Sequence, residues 1–236
     1  MPQLNPDLLL RAYSAGIFPM AEGRTSDELY WVEPRRRGVI PIEGFHLSRS
    51  LAKLLRQERF ALTANRAFRD VMLGCAAPAR GREDTWINED ILNAYGQLHE
   101  RGHAHSVECW LDGALAGGLY GVHIGGAFFG ESMFTRARDA SKAAMAHLIA
   151  RLRIGGFRLL DTQFLTEHLA SLGAVEIPRA AYRAQLASAL SVDADFAALD
   201  RLDGALSEEA PVERPATTVC GPISGKLIVQ LLTQTS

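Results

Sequence analysis

Apolar positions follow a helical period through the first hundred residues and then change to alternation. Asn5-Pro6 precedes Asp7-Leu8-Leu9-Leu10-Arg11-Ala12-Tyr13. Asn5 can accept from the free first-turn amides, Pro6 fits the first turn, and Gly16 ends the helix. Pro19 keeps Ile17-Phe18-Pro19-Met20 from continuing it. Tyr30-Trp31-Val32 reads as a short extended segment, residues 33–37 as a connector and 38–41 as a strand. A second helix opens behind Ser48, with Leu51, Leu54 and Leu55 as its buried stripe. Residues 60–63 read as a strand and 67–75 as a helix on Phe68, Val71, Met72 and Cys75. A loop covers 77–84, and a helix over 89–101 buries Ile91, Leu92, Tyr95 and Leu98 before Gly102 stops it.

From residue 105 the period is two. His105, Val107, Cys109 and Leu111 share one face, Asp112-Gly113 is a hairpin signal, residues 114–124 return, Gly125-Gly126 turns, and 127–133 is a third strand. A helix follows over 141–153, buried through Met145, Leu148, Ile149 and Leu152. Then come a strand (157–161), a helix (167–172), a strand (175–177) and a helix (178–190). Three antiparallel strands, then helix, strand, helix, strand, helix, is the order of an α+β fold. Its sheet would be mixed and mainly antiparallel, as in an acyltransferase core like that of the Gcn5-related N-acetyltransferases. There the sheet splits after the third long strand and the acyl donor enters the split; this is fold-level analogy, which does not establish function. The expected organisation is a small N-terminal domain (1–40), a catalytic domain (41–190), and an acidic linker and tail packing on the core (191–236). Residues 226–232 would add one more strand or helix.

Charge changes the picture locally rather than in total. The 236 residues carry a net charge of −2, with no bias toward nucleic acid. Between Arg35 and Arg82, however, eleven basic residues face three acids, a net of +8; between Ser191 and Arg214 seven acids face two arginines, a net of −5. A basic window of that density can hold phosphates. Cys75, Cys109 and Cys220 are too scattered for zinc, an iron–sulfur cluster or a disulfide framework. His99, His103, His105 and Glu108 straddle a helix end, a glycine and a strand, so no metal is expected. With no secretory pattern and no apolar run of about 20 residues, the expected compartment is the cytosol.

Residues 117–163 carry the candidate chemistry. Glu131 lies in Phe128-Phe129-Gly130-Glu131-Ser132-Met133-Phe134. A carboxylate there orients a cationic amine, acts as a base if burial raises its pKa, or is structural, paired with an amide or arginine. Asp161 and Gln163 sit two apart on an extended segment and are expected on one face, an acceptor charge beside an amide that both donates and accepts; the plainer role is capping the next helix. Aromatic and sulfur side chains (Phe18, Met20, Trp31, Trp86, Phe128, Phe129, Met133 and Phe134) supply core, and some of them a pocket for a large apolar group. Trp86 is placed to stack on a base. No nucleophile elbow and no Cys with a His partner is present, so a covalent enzyme intermediate is not expected. Where a coenzyme A enzyme of this fold has a glycine-rich turn, residues 135–142 read Thr135-Arg136-Ala137-Arg138-Asp139-Ala140-Ser141-Lys142. The donor there would bear phosphate without being coenzyme A, and no cofactor is expected.

Ten blocks in register then point to a family. They include Tyr13-x-x-Gly16-Ile17-Phe18-Pro19-Met20, Trp31-x-x-Pro34, Phe45-His46-Leu47-Ser48-Arg49-Ser50-Leu51 and Thr85-Trp86-Ile87. Further on are His103-Ala104-His105-Ser106-Val107-Glu108, Gly117-Gly118-Leu119-Tyr120-Gly121, Gly130-Glu131-Ser132-Met133-Phe134, Ala140-Ser141-Lys142, Asp161-x-Gln163 and Ser171-Leu172-Gly173-Ala174. Each is weak alone, but together, over about residues 8–190, the chain resembles the leucyl/phenylalanyl-tRNA–protein transferases. The resemblance implies transfer of Leu or Phe from aminoacyl-tRNA to proteins beginning with Arg or Lys, which marks them for degradation, by a cytoplasmic enzyme expected to be a monomer. It implies that Gln163 holds the attacking amine and helps remove its proton, with Asp161 polarising Gln163, and that Glu131 contacts an amine at the pocket. Met20, Leu119, Phe128, Met145, Leu148 and Leu160, with Met133, would form the Leu/Phe pocket, and Trp86 would stack on the terminal adenosine. Arg35, Arg36, Arg37, Arg49, Lys53 and Arg56 would hold tRNA, with Arg136, Arg138 and Lys142 as further phosphate candidates. Met20 stands where some relatives carry Trp, so Met is a further donor to consider. Two other classes compete: an aminoacyl-tRNA-dependent ligase acting on a small amine or cell-wall precursor, and an RNA-binding module without turnover.

Overall fold

A computed structural model describes residues 4–24, 29–78, 85–206 and 221–234; Arg80, Arg82 and Cys220 lie outside these. Local signals set most element ends. Helix α1 (Pro6–Ser14) starts where the Asn5 side chain accepts from the amide of Leu8 at 2.8 Å. Strands β1 (Phe18–Ala21) and β2 (Leu29–Val32) form a separate two-stranded antiparallel sheet. Helix α2 (Arg49–Arg56) is capped by Ser48.

The large sheet has seven strands. Its first strand in the chain, β3 (Arg36–Ile40), joins β4 (Ala61–Ala64), β5 (Ala104–Leu111), β6 (Ala114–Ile124), β7 (Ala127–Thr135), β8 (Leu159–Gln163) and β9 (Val175–Pro178) in the order β4-β5-β6-β7-β8-β3-β9. Every neighbouring pair is antiparallel except β7–β8. The β5–β6 hairpin turns on Asp112 and Gly113, both at positive φ (51° and 79°), as a tight two-residue turn requires. Residues 33–37 do not simply connect: Arg36 and Arg37 belong to β3, which lies between β8 and β9. Their partners are more than a hundred residues away, so no local pattern announces the strand.

Helices cover both faces. Alternation along the strands sends Val107, Leu119, Phe128 and Leu160 into one cluster and Tyr120, Phe129 and Leu159 into another. The first cluster includes residues of α2, of α5 (Ala140–Ile154) and of α9 (Gly225–Thr233). The second includes residues of α1, α3 (Phe68–Ala76), α4 (Glu89–Glu100) and α7 (Arg179–Leu190). Each large apolar side chain fully buried there stabilises the fold by roughly 1.5–3 kcal/mol. A short helix, α6 (Glu167–Ser171), follows β8.

The expected acidic linker is partly a helix, α8 (Ala198–Leu206). Arg151 of α5, fully buried, pairs with Asp200 and donates to the Phe196 carbonyl at 3.1 Å. The acidic run that reads as solvated in sequence thus holds a partner for a buried cation. Helix α9 approaches α2 closely: a Cβ on Gly225 would meet the Leu55 carbonyl oxygen at 2.1 Å.

Candidate active site

The parallel pairing of β7 with β8 is only three residues long. It matches Ala127, Phe129 and the residue between with Leu159, Leu160 and Asp161, and then stops. Beyond it β7 stays with β6 and β8 stays with β3, so the sheet opens. A hollow of about 300 Å³ occupies the opening. Leu119, Met133, Met145, Leu148 and Leu160, all expected to form a pocket, line it, together with Leu169. Its polar wall is Glu131, Ser132, Thr162 and Gln163.

Two expected pocket residues, Phe128 and Met20, and the expected adenosine-stacking Trp86 are elsewhere. Phe128 is fully buried behind the strands, stacked on Phe196 at 5.8 Å between ring centroids. Met20 and Trp86 are half-buried at the edge of the second cluster. Strand alternation explains Phe128: it points into the core beside the hollow rather than into it. The sequence reading missed Thr166, His168 and Leu169 because they follow β8 in a loop and short helix.

Glu131 sits on the wall of the hollow, half-buried, with one side open to it. Burial is the main reason its carboxyl is raised from 4.5 to about 8; the Asp161 charge adds to the rise, while Tyr13, Tyr95 and Arg37 oppose it. The Tyr95 hydroxyl donates to Oε2 at 3.2 Å, and Nε2 of Gln163 lies 3.5 Å from Oε1. A carboxyl poised near neutral pH beside an apolar cavity suits a general base.

Asp161 is placed differently from the expectation of a shared face. It is fully buried and does not line the hollow. Arg37 grips it through Nε (2.9 Å) and Nη2 (2.7 Å), the Tyr182 hydroxyl donates to it at 2.7 Å, and the backbone amide of Gln163 donates at 2.8 Å. Arg37, expected on the tRNA surface, is therefore interior: its guanidinium lies 4.6 Å from the ring centres of both Phe18 and Tyr182 and donates to the Gly16 carbonyl. Gln163 has φ 58°, a left-handed conformation that costs a non-glycine residue of order 1–3 kcal/mol. That bend breaks the alternation. Asp161 acts on the Gln163 backbone, and the Gln163 side chain turns toward Glu131. Tyr95 was legible only as core, Tyr13 only as part of its helix and family block, and Tyr182 was missed; the signal was a phenol in an apolar stripe, which needs a partner when buried.

Of the basic residues, Arg35, Arg49, Lys53, Arg56, Arg136 and Arg138 are exposed, and Lys142 is half-buried against Asp139. Lys53 and Arg59, with Arg138 and Asp139 from a distant segment, line one surface hollow of about 260 Å³. Arg36 is exposed but paired with Glu176. Among the described residues no helix is long and apolar enough to cross a membrane.

An apolar hollow reached through a split in a mixed sheet, with one acid on its wall, is the arrangement of an acyl-group transferase. Comparison with known proteins narrows the class. The family model of leucyl/phenylalanyl-tRNA protein transferase matches residues 39–187, and that of its N-terminal domain matches residues 2–35. The chain belongs to the leucyl/phenylalanyl-tRNA–protein transferase family. The transferase of that name from Rhizorhabdus wittichii is 56% identical over 100% of both chains. That from Rhodopseudomonas palustris (strain TIE-1) is 56% identical over 91% of each, and that from Zymomonas mobilis 58% identical over 80% of this chain and 70% of the other. Among solved structures, the crystal structure of FemX is similar with a TM-score of 0.48 at 12% identity, covering 75% of this chain and 68% of that one.

Proposed function

We propose that this enzyme moves Leu or Phe from aminoacyl-tRNA to the N-terminal Arg or Lys of a protein, in the cytoplasm and as a monomer, marking the acceptor for degradation. The observation that carries the reading is the apolar hollow walled by Glu131 and Gln163. The donor side chain occupies the space between Leu119, Met145, Leu148 and Leu160, and its ester carbonyl lies at the polar wall. Gln163 orients the incoming α-amine. The neutral nitrogen attacks the ester carbon, the bond to the tRNA 3′-oxygen breaks, and the nitrogen's proton passes to the ionised Glu131 and leaves on that oxygen. Asp161, saturated by Arg37, Tyr182 and the Gln163 amide, keeps Gln163 in its bent conformation. The ester is already activated, so positioning and proton transfer suffice without a covalent enzyme intermediate. Trp86 stacks on the terminal adenosine with Met20 nearby, and Arg49, Lys53, Arg56, Arg136 and Arg138 hold acceptor-stem phosphates.

The test is transfer of labelled Leu, Phe or Met from tRNA to peptides beginning with Arg, Lys, Asp or Glu. Product with Leu or Phe donors and Arg or Lys acceptors is expected. Loss of the ester without peptide product would overturn the reading.

A further inference from the structure

Two tyrosines stand behind the acid on the pocket wall. The Tyr95 hydroxyl donates to Oε2 of Glu131 at 3.2 Å, and it is itself hydrogen-bonded to the Tyr13 hydroxyl. The three residues come from three elements: Tyr13 from α1, Tyr95 from α4 and Glu131 from β7. Both rings are fully buried. Tyr13 leans on Phe129 at 4.8 Å, and Tyr95 meets Tyr120 edge-on at 5.8 Å. Packing therefore fixes where the two hydroxyls are, and the carboxyl adapts to them.

The charges around the acid show why this matters. Asp161 of β8 bears on Glu131 with the same sign. Arg37 of β3 is the cation that faces both, and it is spent on Asp161. Tyr182 of α7 also faces the group, but its hydroxyl goes to Asp161. Two carboxyls thus share one guanidinium, and the second must find its stabilisation in neutral donors. Gln163 supplies one, at 3.5 Å. The tyrosine pair supplies the other.

We propose that Tyr95, backed by Tyr13, is a positioning residue of the transfer reaction: its hydroxyl pins Oε2 of Glu131, turns Oε1 toward Gln163 and the incoming amine, and favours the ionised carboxylate over the acid. This rests on Glu131 being the proton acceptor. Removing the hydroxyl leaves the ring and its packing in place but withdraws a donor from the charged form. Glu131 then ionises only at higher pH.

The experiment compares wild type, Tyr95→Phe and Tyr13→Phe, each checked for folding by its thermal unfolding midpoint. Two readouts are taken. The first is kcat/KM for a peptide beginning with Arg, measured from pH 6 to 10. The acceptor amine titrates identically in all three proteins, so a difference in the rising limb belongs to the enzyme. The limb of Tyr95→Phe should move up by about one pH unit, with most of the activity regained at high pH. The second is a carbon-13 NMR titration of the Glu131 carboxyl without substrate, assigned with Glu131→Gln, which should show the same displacement. Tyr13→Phe should move both in the same direction, since the Tyr13 hydroxyl also favours the charged carboxyl, and it carries the test alone if Tyr95→Phe does not fold. A rate lowered equally at every pH, or an unmoved carboxyl titration, would overturn the proposal. Should wild type make no peptide product, the functional reading fails while the NMR titration still decides whether the tyrosines govern Glu131.

Discussion

Replacing Glu131 with glutamine removes a titratable group and keeps its shape. In the folded protein the carboxyl is raised from 4.5 to about 8, chiefly by burial. The folded state therefore binds this proton more tightly than the unfolded chain does. Its contribution to stability is full below about pH 4.5, and is lost as pH rises toward 8 and past it. At ~1.36 kcal/mol for each pH unit, the ceiling on that loss is about 5 kcal/mol. Because one side of Glu131 opens on the hollow, solvent reduces it, and about 2–4 kcal/mol is the expected size. Glutamine stays neutral, so the variant escapes the loss. Urea unfolding of both proteins at pH 5.5 and pH 9 makes the comparison. Near pH 5.5, one unit above the unfolded value, the variant should lead by about 1 kcal/mol, and at pH 9 by the full amount. The buried histidines titrate in both proteins, and their contribution cancels in the difference. A gap of the same size at both pH values would refute the reasoning, because it would mean that Glu131 does not titrate in this range. Transfer activity should be lost in the variant throughout.

Two further changes test the interior and the hollow. Arg37→Ala leaves the fully buried Asp161 without its cation, and should cost about 3–5 kcal/mol by chemical denaturation; Arg37→Lys, which keeps the charge and loses the fork, should fall between. Leu148→Phe adds bulk to the hollow wall and should lower kcat/KM for Phe-tRNA relative to Leu-tRNA by about tenfold or more, read by competition between the two labelled donors.

Where local chemistry decides, the chain was readable before folding. Asn5 and Ser48 cap the helices they announce, Asp112-Gly113 turns where it should, and five of the expected pocket residues meet in one hollow. Polar residues inside apolar runs marked Glu131, Asp161 and Gln163 as sites that needed partners. Arg37 shows the limit. Among Arg35-Arg36-Arg37 it looks like one more surface cation, yet alternation in β3 turns it inward to Asp161, a residue 124 positions on. Phe128 was misplaced for a related reason: a strand residue faces the core or the cavity according to where the sheet splits.

The sequence by itself determined most of the elements, their order and the identity of the polar groups, because caps, turns and periodicity act over a few residues; the start of β3 and helix α8 escaped it. Only the tertiary structure decided what those groups do. It set Asp161 against Arg37 and left Glu131 to Tyr95 and Gln163. Burial and opposing charge arise between segments that are distant in the chain, and they leave one of two similar carboxyls enclosed by donors and the other open to the hollow.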